Sequence, residues 1–281
     1  MWEVAGSIPA SGSTTSEIAF DVVRSPKVIW AVIKARVGRI GYGPRERAKE
    51  LQQLSAQFAA LGLDFSAAKN RVDELVKAHS LSRSDNSLHY ELFAGISQVC
   101  NPQRILEVGT FRGEFTAFLA TLFPDAYIET WDLPQENDGE MKSYIDDFEA
   151  HYRDQTANRA KNIGGRSNVN QVLRDSTGLF AASDAFDLIW VDGDHTFPVV
   201  AFDLINALRL SGPQSWIAVD DIKLVEMRKS VLSSTEAIRS IQHLVRSGHV
   251  TSHLIYKRVG ASGRRWRDDN RRKHLAILKR A

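Results

Sequence analysis

Five short runs, rich in apolar and β-branched residues and each closed by a glycine or a carboxylate, constrain this chain more than any other feature. Arg104 to Val108 runs into Gly109, Ala126 to Trp131 into Asp132, and Val169 to Leu173 into Arg174-Asp175. Phe186 to Val191 runs into Asp192, and Ser215 to Val219 into Asp220-Asp221. Segments with helical spacing separate them, among them Phe115 to Leu122, Val199 to Leu208 and Val225 to Arg246. Strands that alternate with helical crossovers build a mainly parallel sheet covered on both faces. Such sheets bind ligands beyond the carboxyl ends of their strands, where the closing polar residues stand.

The flanks read differently. Val250 to Val259 and His274 to Lys279 are two further strands with no helix between them, an antiparallel pair at one side of the sheet. A polar, glycine-containing stretch, GASGRRWRDDNRRK, joins them. Upstream, Pro26 opens a helix with Val28, Ile29, Val32, Ile33 and Val37 at helical spacing. A second helix follows Pro44, with Leu51, Leu54, Phe58 and Leu61 on its apolar face; a third covers about Ser66 to Ala78, and a fourth about Ser87 to Val99. Asn137 to Arg166 reads as one helix plus an excursion near the site's rim. The expected division is a disordered segment over 1–18, a helical extension or cap over 19–86, and the site-bearing domain over 87–281.

A length of 281 residues suits one large domain, and 43% hydrophobic content argues against global disorder. Lys+Arg numbers 36 against 34 Asp+Glu, a balance that points neither to nucleic acid nor to acidic substrates. Cys100 stands alone, which excludes an intramolecular disulfide and a Cys-rich zinc site, and a reducing cytoplasm is the default compartment. The nearest approach to a membrane span, Phe20 to Ile40, is broken by Arg24, Lys27, Lys34, Arg36 and Arg39. That helix packs on the domain or a second subunit, or lies on a membrane surface with its basic side. The opening MWEVAGSIPASGSTTSE has no basic region followed by a long apolar core and makes a poor signal peptide.

The chemistry concentrates in RILEVGTFRGEFTAF, residues 104 to 118. Gly109 allows a tight turn beside a ligand, Gly113 a close helix approach, and unpaired N–H groups at the helix start can meet polar ligand atoms. The order is not Gly-x-Gly-x-x-Gly, and no Gly-Lys-Ser/Thr ending is present, which argues against dinucleotide and phosphate-loop folds. Asp132 can accept hydrogen bonds from both ribose hydroxyls. Asp175 either meets an adenine amino group or, with Ser176 and Thr177, caps a short helix. Asp192, Asp194, Asp220 and Asp221 would crowd one end of neighbouring strands, a burden of charge that a divalent cation can offset.

The segments ILEVGTFRGEFT, WDL, RDST, FDLIWVDGDH and WIAVDDI resemble, in order, the motifs of class I S-adenosylmethionine-dependent O-methyltransferases, the catechol, caffeoyl-CoA and sugar methyltransferases among them. The resemblance covers about Tyr90 to Val259. It implies a Rossmann-like α/β fold with a mainly parallel seven-stranded sheet, an antiparallel C-terminal edge and an N-terminal helical cap. It implies S-adenosyl-L-methionine held by Glu107, Gly109, Thr110, Gly113, Asp132, Asp175 and Asp194. It implies a divalent cation, Mg²⁺ favoured, on Asp192, Asp220 and Asp221, the last standing where an asparagine is common. His195, three positions after Asp192, falls where catechol-type families place a catalytic lysine, and neutral imidazole can take a proton near neutral pH.

The activity expected is metal-assisted methyl transfer to a small-molecule hydroxyl, on a sugar or natural product. A metal-independent methyltransferase and a noncatalytic S-adenosylmethionine-binding regulator stay as alternatives. Phe197 and Trp216 are expected in or near the core, and His89 as an ordinary satisfied histidine. The basic stretch Arg264, Arg265, Arg267, Arg271, Arg272 and Lys273 reads as a solvated loop first, an anionic-acceptor or membrane contact second. With Trp266 its only aromatic, it offers thin support for nucleic acid. A homo-oligomer is left open.

Overall fold

The computed structural model describes residues 42–83, 87–134, 148–226, 234–260, 270 and 272–281. The Pro26 helix, the first part of the Asn137 to Arg166 connection and most of the basic stretch lie outside the described residues.

Three helices precede the sheet: α1 (Pro44–Ala59), α2 (Phe65–Ala78) and α3 (His89–Ile96). Pro44 sits in the first turn of α1, and Glu46 accepts a hydrogen bond from the Gly43 N–H at 2.9 Å. Asp64 starts α2 by accepting from the Ala67 N–H at 3.0 Å. The sheet elements then follow: β1 (Arg104–Val108), α4 (Glu114–Leu122), β2 (Tyr127–Asp132), α5 (Phe148–Ile163) and β3 (Val169–Leu173). A 3-10 turn over Ser176–Ala181 leads to β4 (Phe186–Val191), α6 (Val199–Arg209), β5 (Ser211–Lys223), α7 (Glu236–Arg246), β6 (Val250–Tyr256) and β7 (Lys273–Arg280).

The seven strands lie in the order β3-β2-β1-β4-β5-β7-β6. All neighbours from β3 to β5 pair in parallel, and β7 runs antiparallel to both β5 and β6. The expected mostly parallel sheet with an antiparallel C-terminal side is therefore the observed one. Its alternation follows the pleat. Ile105, Leu188, Trp190, Trp216, Ala218, Leu275 and Ile277 face a core shared with α1 to α4. Leu106, Val108, Ile189, Val191, Ile217, Val219 and Leu278 face a second core with α6 and α7. Central strands buried on both faces need apolar residues at nearly every position, as WIAV and LIWV provide.

Some boundaries differ from expectation. β5 starts earlier than Ser215 and continues past Val219 because its ladder to β7 runs on to Lys223. The helix expected from Val225 is described only from Glu236, with 227–233 outside the described residues. Trp216 is buried as expected, whereas Phe197 is 66% exposed and belongs to neither core. Arg272 and Lys273 do not belong to a solvated loop: Arg272 is buried against Glu50, and Lys273 is the first residue of β7.

Candidate active site

The chain leaves β1 through Gly109, whose φ is +102°. A Cβ there would lie 2.2 Å from the Asp192 carbonyl oxygen, so only glycine lets the β1 exit pass this close to the β4 exit. The Asp192 N–H donates to the Val108 carbonyl and the Gly109 N–H to the Trp131 carbonyl, both at 2.8 Å. These bonds hold the carboxyl ends of β2, β1 and β4 together. Gly113 makes the close helix approach expected of it. Its φ is +71°, and a Cβ would lie 3.1 Å from Ile163 and 3.6 Å from Arg159 of α5.

Beneath the turn, Glu107 is 1% exposed. Its Oε2 accepts from the Thr116 hydroxyl at 2.5 Å and the Thr130 hydroxyl at 2.6 Å, and Thr110 meets Thr130 at 2.6 Å. Burial pushes the Glu107 carboxyl up to about 7, and the two hydroxyl donors offset this only in part. Thr110 is thus part of this buried network.

Asp132 closes β2 and accepts from the Phe111 N–H and the Leu133 N–H, each at 3.0 Å. The Arg159 guanidinium pairs with the same carboxylate, and its Nε donates to the Phe111 carbonyl at 2.7 Å. Arg159 was not singled out from the sequence; one arginine in a mixed-charge helix gives no signal there. Asp175 accepts from the Thr177 N–H at 2.8 Å, the capping alternative. Asp194 accepts from the Thr196 N–H at 2.8 Å and its hydroxyl at 2.9 Å, a local turn. His89 is buried, with Nδ1 2.7 Å from the Ser87 hydroxyl and its ring against Phe115 and Trp190.

Asp192, Asp220, Asp221 and His195 do gather. His195 Nε2 stands 3.7 Å from Asp192 and 3.9 Å from Asp221. Successive residues of a strand ordinarily face opposite sides, yet Asp220 and Asp221 turn to one partner. The β5–β7 register shifts between Val219 and Ile222, and Asp221 has φ +53°, so a bulge re-aims the pair. The partner is Lys257, which follows β6: its ammonium pairs with Asp220 and donates to Asp221 at 2.6 Å. Lys273 pairs with the other oxygen of Asp221.

The charges follow this geometry. Burial alone would raise the Asp220 and Asp221 carboxyls, but the ammonium of Lys257, joined at Asp221 by that of Lys273, holds both below the usual range. Burial would lower Lys257, and the three surrounding aspartates raise it instead. Asp192 is raised well above its usual range by burial and by the Asp220 charge. Burial lowers His195 further than the aspartates raise it, which favours the neutral ring.

The residues as they stand do not fit a divalent cation. The Asp220 and Asp221 carboxylates are already matched by the ammonium groups of Lys257 and Lys273. A divalent ion would meet both ammonium groups at close range, with little surplus negative charge to offset the repulsion. Neither Lys257 nor Lys273 was singled out as a site residue. Their signal lay in the expected antiparallel pair, which brings the β6–β7 connection to the carboxyl end of β5.

The open α/β sheet, with a glycine turn after β1, carboxylates at the end of β2 and after β4, and a further pair near the end of β5, has the Rossmann-like fold of class I methyltransferases. Residues 106–222 match the family model described as a methyltransferase domain. That match runs from within β1 to within β5, across the part of the sheet that carries the glycine turn and the gathered carboxylates. No curated protein sequence matches at a significant level. Among solved structures, an O-methyltransferase from Bacillus cereus in complex with SAH is 17% identical, with a TM-score of 0.50 over 76% of this chain and 90% of that one. A putative O-methyltransferase from Klebsiella pneumoniae is 21% identical, TM-score 0.47, over 82% and 98%. The O-methyltransferase TomG from Streptomyces achromogenes, involved in tomaymycin synthesis, is 20% identical, TM-score 0.48, over 82% and 96%. Among the described residues, no helix is long and apolar enough to cross a membrane.

Proposed function

We propose that this chain transfers a methyl group from S-adenosyl-L-methionine to the hydroxyl oxygen of a small molecule, and does so without a metal ion. The observation that carries the reading is the convergence of the Gly109 turn with Asp192 and His195 at the joined ends of β1 and β4. The Gly109 turn is a cradle that a Cβ would fill, and with Glu107 and Asp132 it fits a cofactor bearing an amino group and a ribose. Asp132 would share its carboxylate between the ribose and Arg159. The bound cofactor supplies a methyl carbon made electrophilic by its sulfonium.

His195 is the base in this reading. Its neutral Nε2 takes the hydroxyl proton as the oxygen's electron pair forms the new bond to carbon. The cofactor's sulfur would leave as a neutral thioether with the electrons of the carbon–sulfur bond, and the positive charge would end on the His195 imidazolium. Asp221, within 4 Å, stabilises that cation. Holding both reactants over one crevice supplies the entropic advantage. The metal-assisted form expected from the sequence has less support, because Lys257 and Lys273 take up the carboxylates it needs. The acceptor is a small molecule rather than a nucleic acid. A cytoplasmic setting, peripheral membrane contact and self-association belong to the same proposal and rest on the sequence alone.

The test is mass spectrometry of an acceptor panel incubated with deuteromethyl-labelled cofactor, with and without EDTA. Labelled hydroxyl products that persist in EDTA are expected, with turnover lowered about 100-fold or more by His195→Ala. Loss of product on chelation, with rescue by Mg²⁺, would refute the metal-free form. Cofactor binding without any labelled product in extracts of the source cells would favour a noncatalytic regulator.

A further inference from the structure

We infer that Lys257, supported by Lys273, is a resident cation: its ammonium occupies the place between Asp220 and Asp221 that a carboxylate centre would give a divalent ion, and it keeps such ions out. The inference draws on the methyl-transfer reading only for its catalytic consequence, since its test uses no substrate.

Three observations converge. Lys257 is almost wholly enclosed, with 7% of its side chain exposed, so its charge is installed rather than a passing surface contact. Its ammonium bridges both aspartates, which the bulged end of β5 turns toward it. Its backbone is fixed from two sides: the Lys257 N–H donates to the Lys273 carbonyl at 3.0 Å, and its carbonyl accepts from the Leu88 N–H at 2.8 Å. A long flexible side chain held at its root by β7 and by the entry to α3 returns to one position. An ion bound from solution must be recruited; this one arrives with the fold.

The arrangement makes Lys257 a positioning residue. It fixes Asp220 and Asp221, and through Asp221 the carboxylate edge that faces His195 at 3.9 Å. An ammonium also differs from Mg²⁺ in kind, because it donates hydrogen bonds and leaves no open coordination position for a substrate oxygen. A lysine in this place therefore leaves activation of the acceptor to the base rather than to a Lewis acid.

Mn²⁺ is the probe, followed by the loss of its free-ion electron paramagnetic resonance signal on the purified full chain. The wild type should take up no stoichiometric Mn²⁺. Lys257→Ala empties the place while keeping the three aspartates, and should bind about one equivalent at least ~10-fold more tightly than the wild type. Adding Asp192→Asn should abolish that gain. A merely structural lysine would not create a metal site on removal. Should Lys257→Ala fail to fold by circular dichroism, Lys257→Ser, which is also short and uncharged and leaves the place open, carries the same expectation. Wild-type uptake of one equivalent that Asp192→Asn removes would overturn the inference, as would folded variants with no gain. Either result stands apart from the methyl-transfer assay, which can succeed or fail independently.

Discussion

At Glu107 the chain keeps a carboxyl under the glycine turn, 1% exposed, where burial outweighs two hydroxyl donors and moves it up to about 7. The sign of its effect on stability follows from linkage. The folded chain holds the proton that the unfolded chain releases near 4.5, so this group's contribution is full below that pH and is lost as pH rises through about 7. Glu107→Gln keeps a hydrogen-bond acceptor and removes the titration. It should match the wild type near the acid end and exceed it at higher pH by up to about 3 kcal/mol, because each tenfold difference in proton affinity between the folded and unfolded chain is worth about 1.4 kcal/mol. Urea unfolding across the range reads this directly, and a constant difference at every pH would refute it. The residues that gather were those the sequence named, Asp192, Asp220, Asp221 and His195, because each ends or follows a strand. Lys257 and Lys273 escaped notice because their partners lie across an antiparallel pair whose register the sequence did not reveal. Asp175 and Asp194 each hold a nearby backbone N–H, which shows how readily an aspartate after a strand serves a turn.

Between elements, the most consequential contact joins α1 to the β6–β7 connection. Glu50, buried on α1, pairs with Arg272, accepts from the Gly260 N–H at 2.9 Å and accepts from the Tyr42 hydroxyl at 2.6 Å. Gln57, two turns further on, accepts from the Tyr256 N–H at 3.1 Å. Helix α1 thus clips the strand pair that carries Lys257 and Lys273 to the site. Removing one partner of a buried pair strands the other's charge, so Arg272→Met should cost about 3–5 kcal/mol. Pairing it with Glu50→Leu should recover much of that loss, because no charge is then left unmatched. A double-mutant cycle in chemical denaturation measures the coupling. Losses that simply add would show that the pair does not act as a unit. The elements were largely legible: β1, β3 and β4 fall on their expected residues because apolar runs bounded by polar turns leave little choice. The end of β5 was not, because two aspartates read as a stop while a bulge lets the ladder continue beyond them.

At the scale of the whole molecule, one sheet edge collects everything reactive, and the antiparallel β7 brings cations to it. A purely parallel sheet sends only carboxyl ends to that edge, and its charge would have to be met from solution. Inserting β7 between β5 and β6 places the start of β7 and the exit of β6 there, with Lys273 on one and Lys257 beyond the other. The topology makes the acidic centre self-contained, and this has a thermodynamic signature. A ligand that binds only the folded state stabilises it by about 2.7 kcal/mol at 100 times its Kd. For a chain of this size each kcal/mol raises Tm by about 2–4 °C, so saturating S-adenosylmethionine should raise it by roughly 5–10 °C. Mg²⁺ alone should leave Tm unchanged, and EDTA should not lower it, because the cation the centre needs is part of the polypeptide. A melting point that climbs with Mg²⁺ and falls on chelation would mean that the lysines yield to the ion, and that the topology supplies a metal site after all.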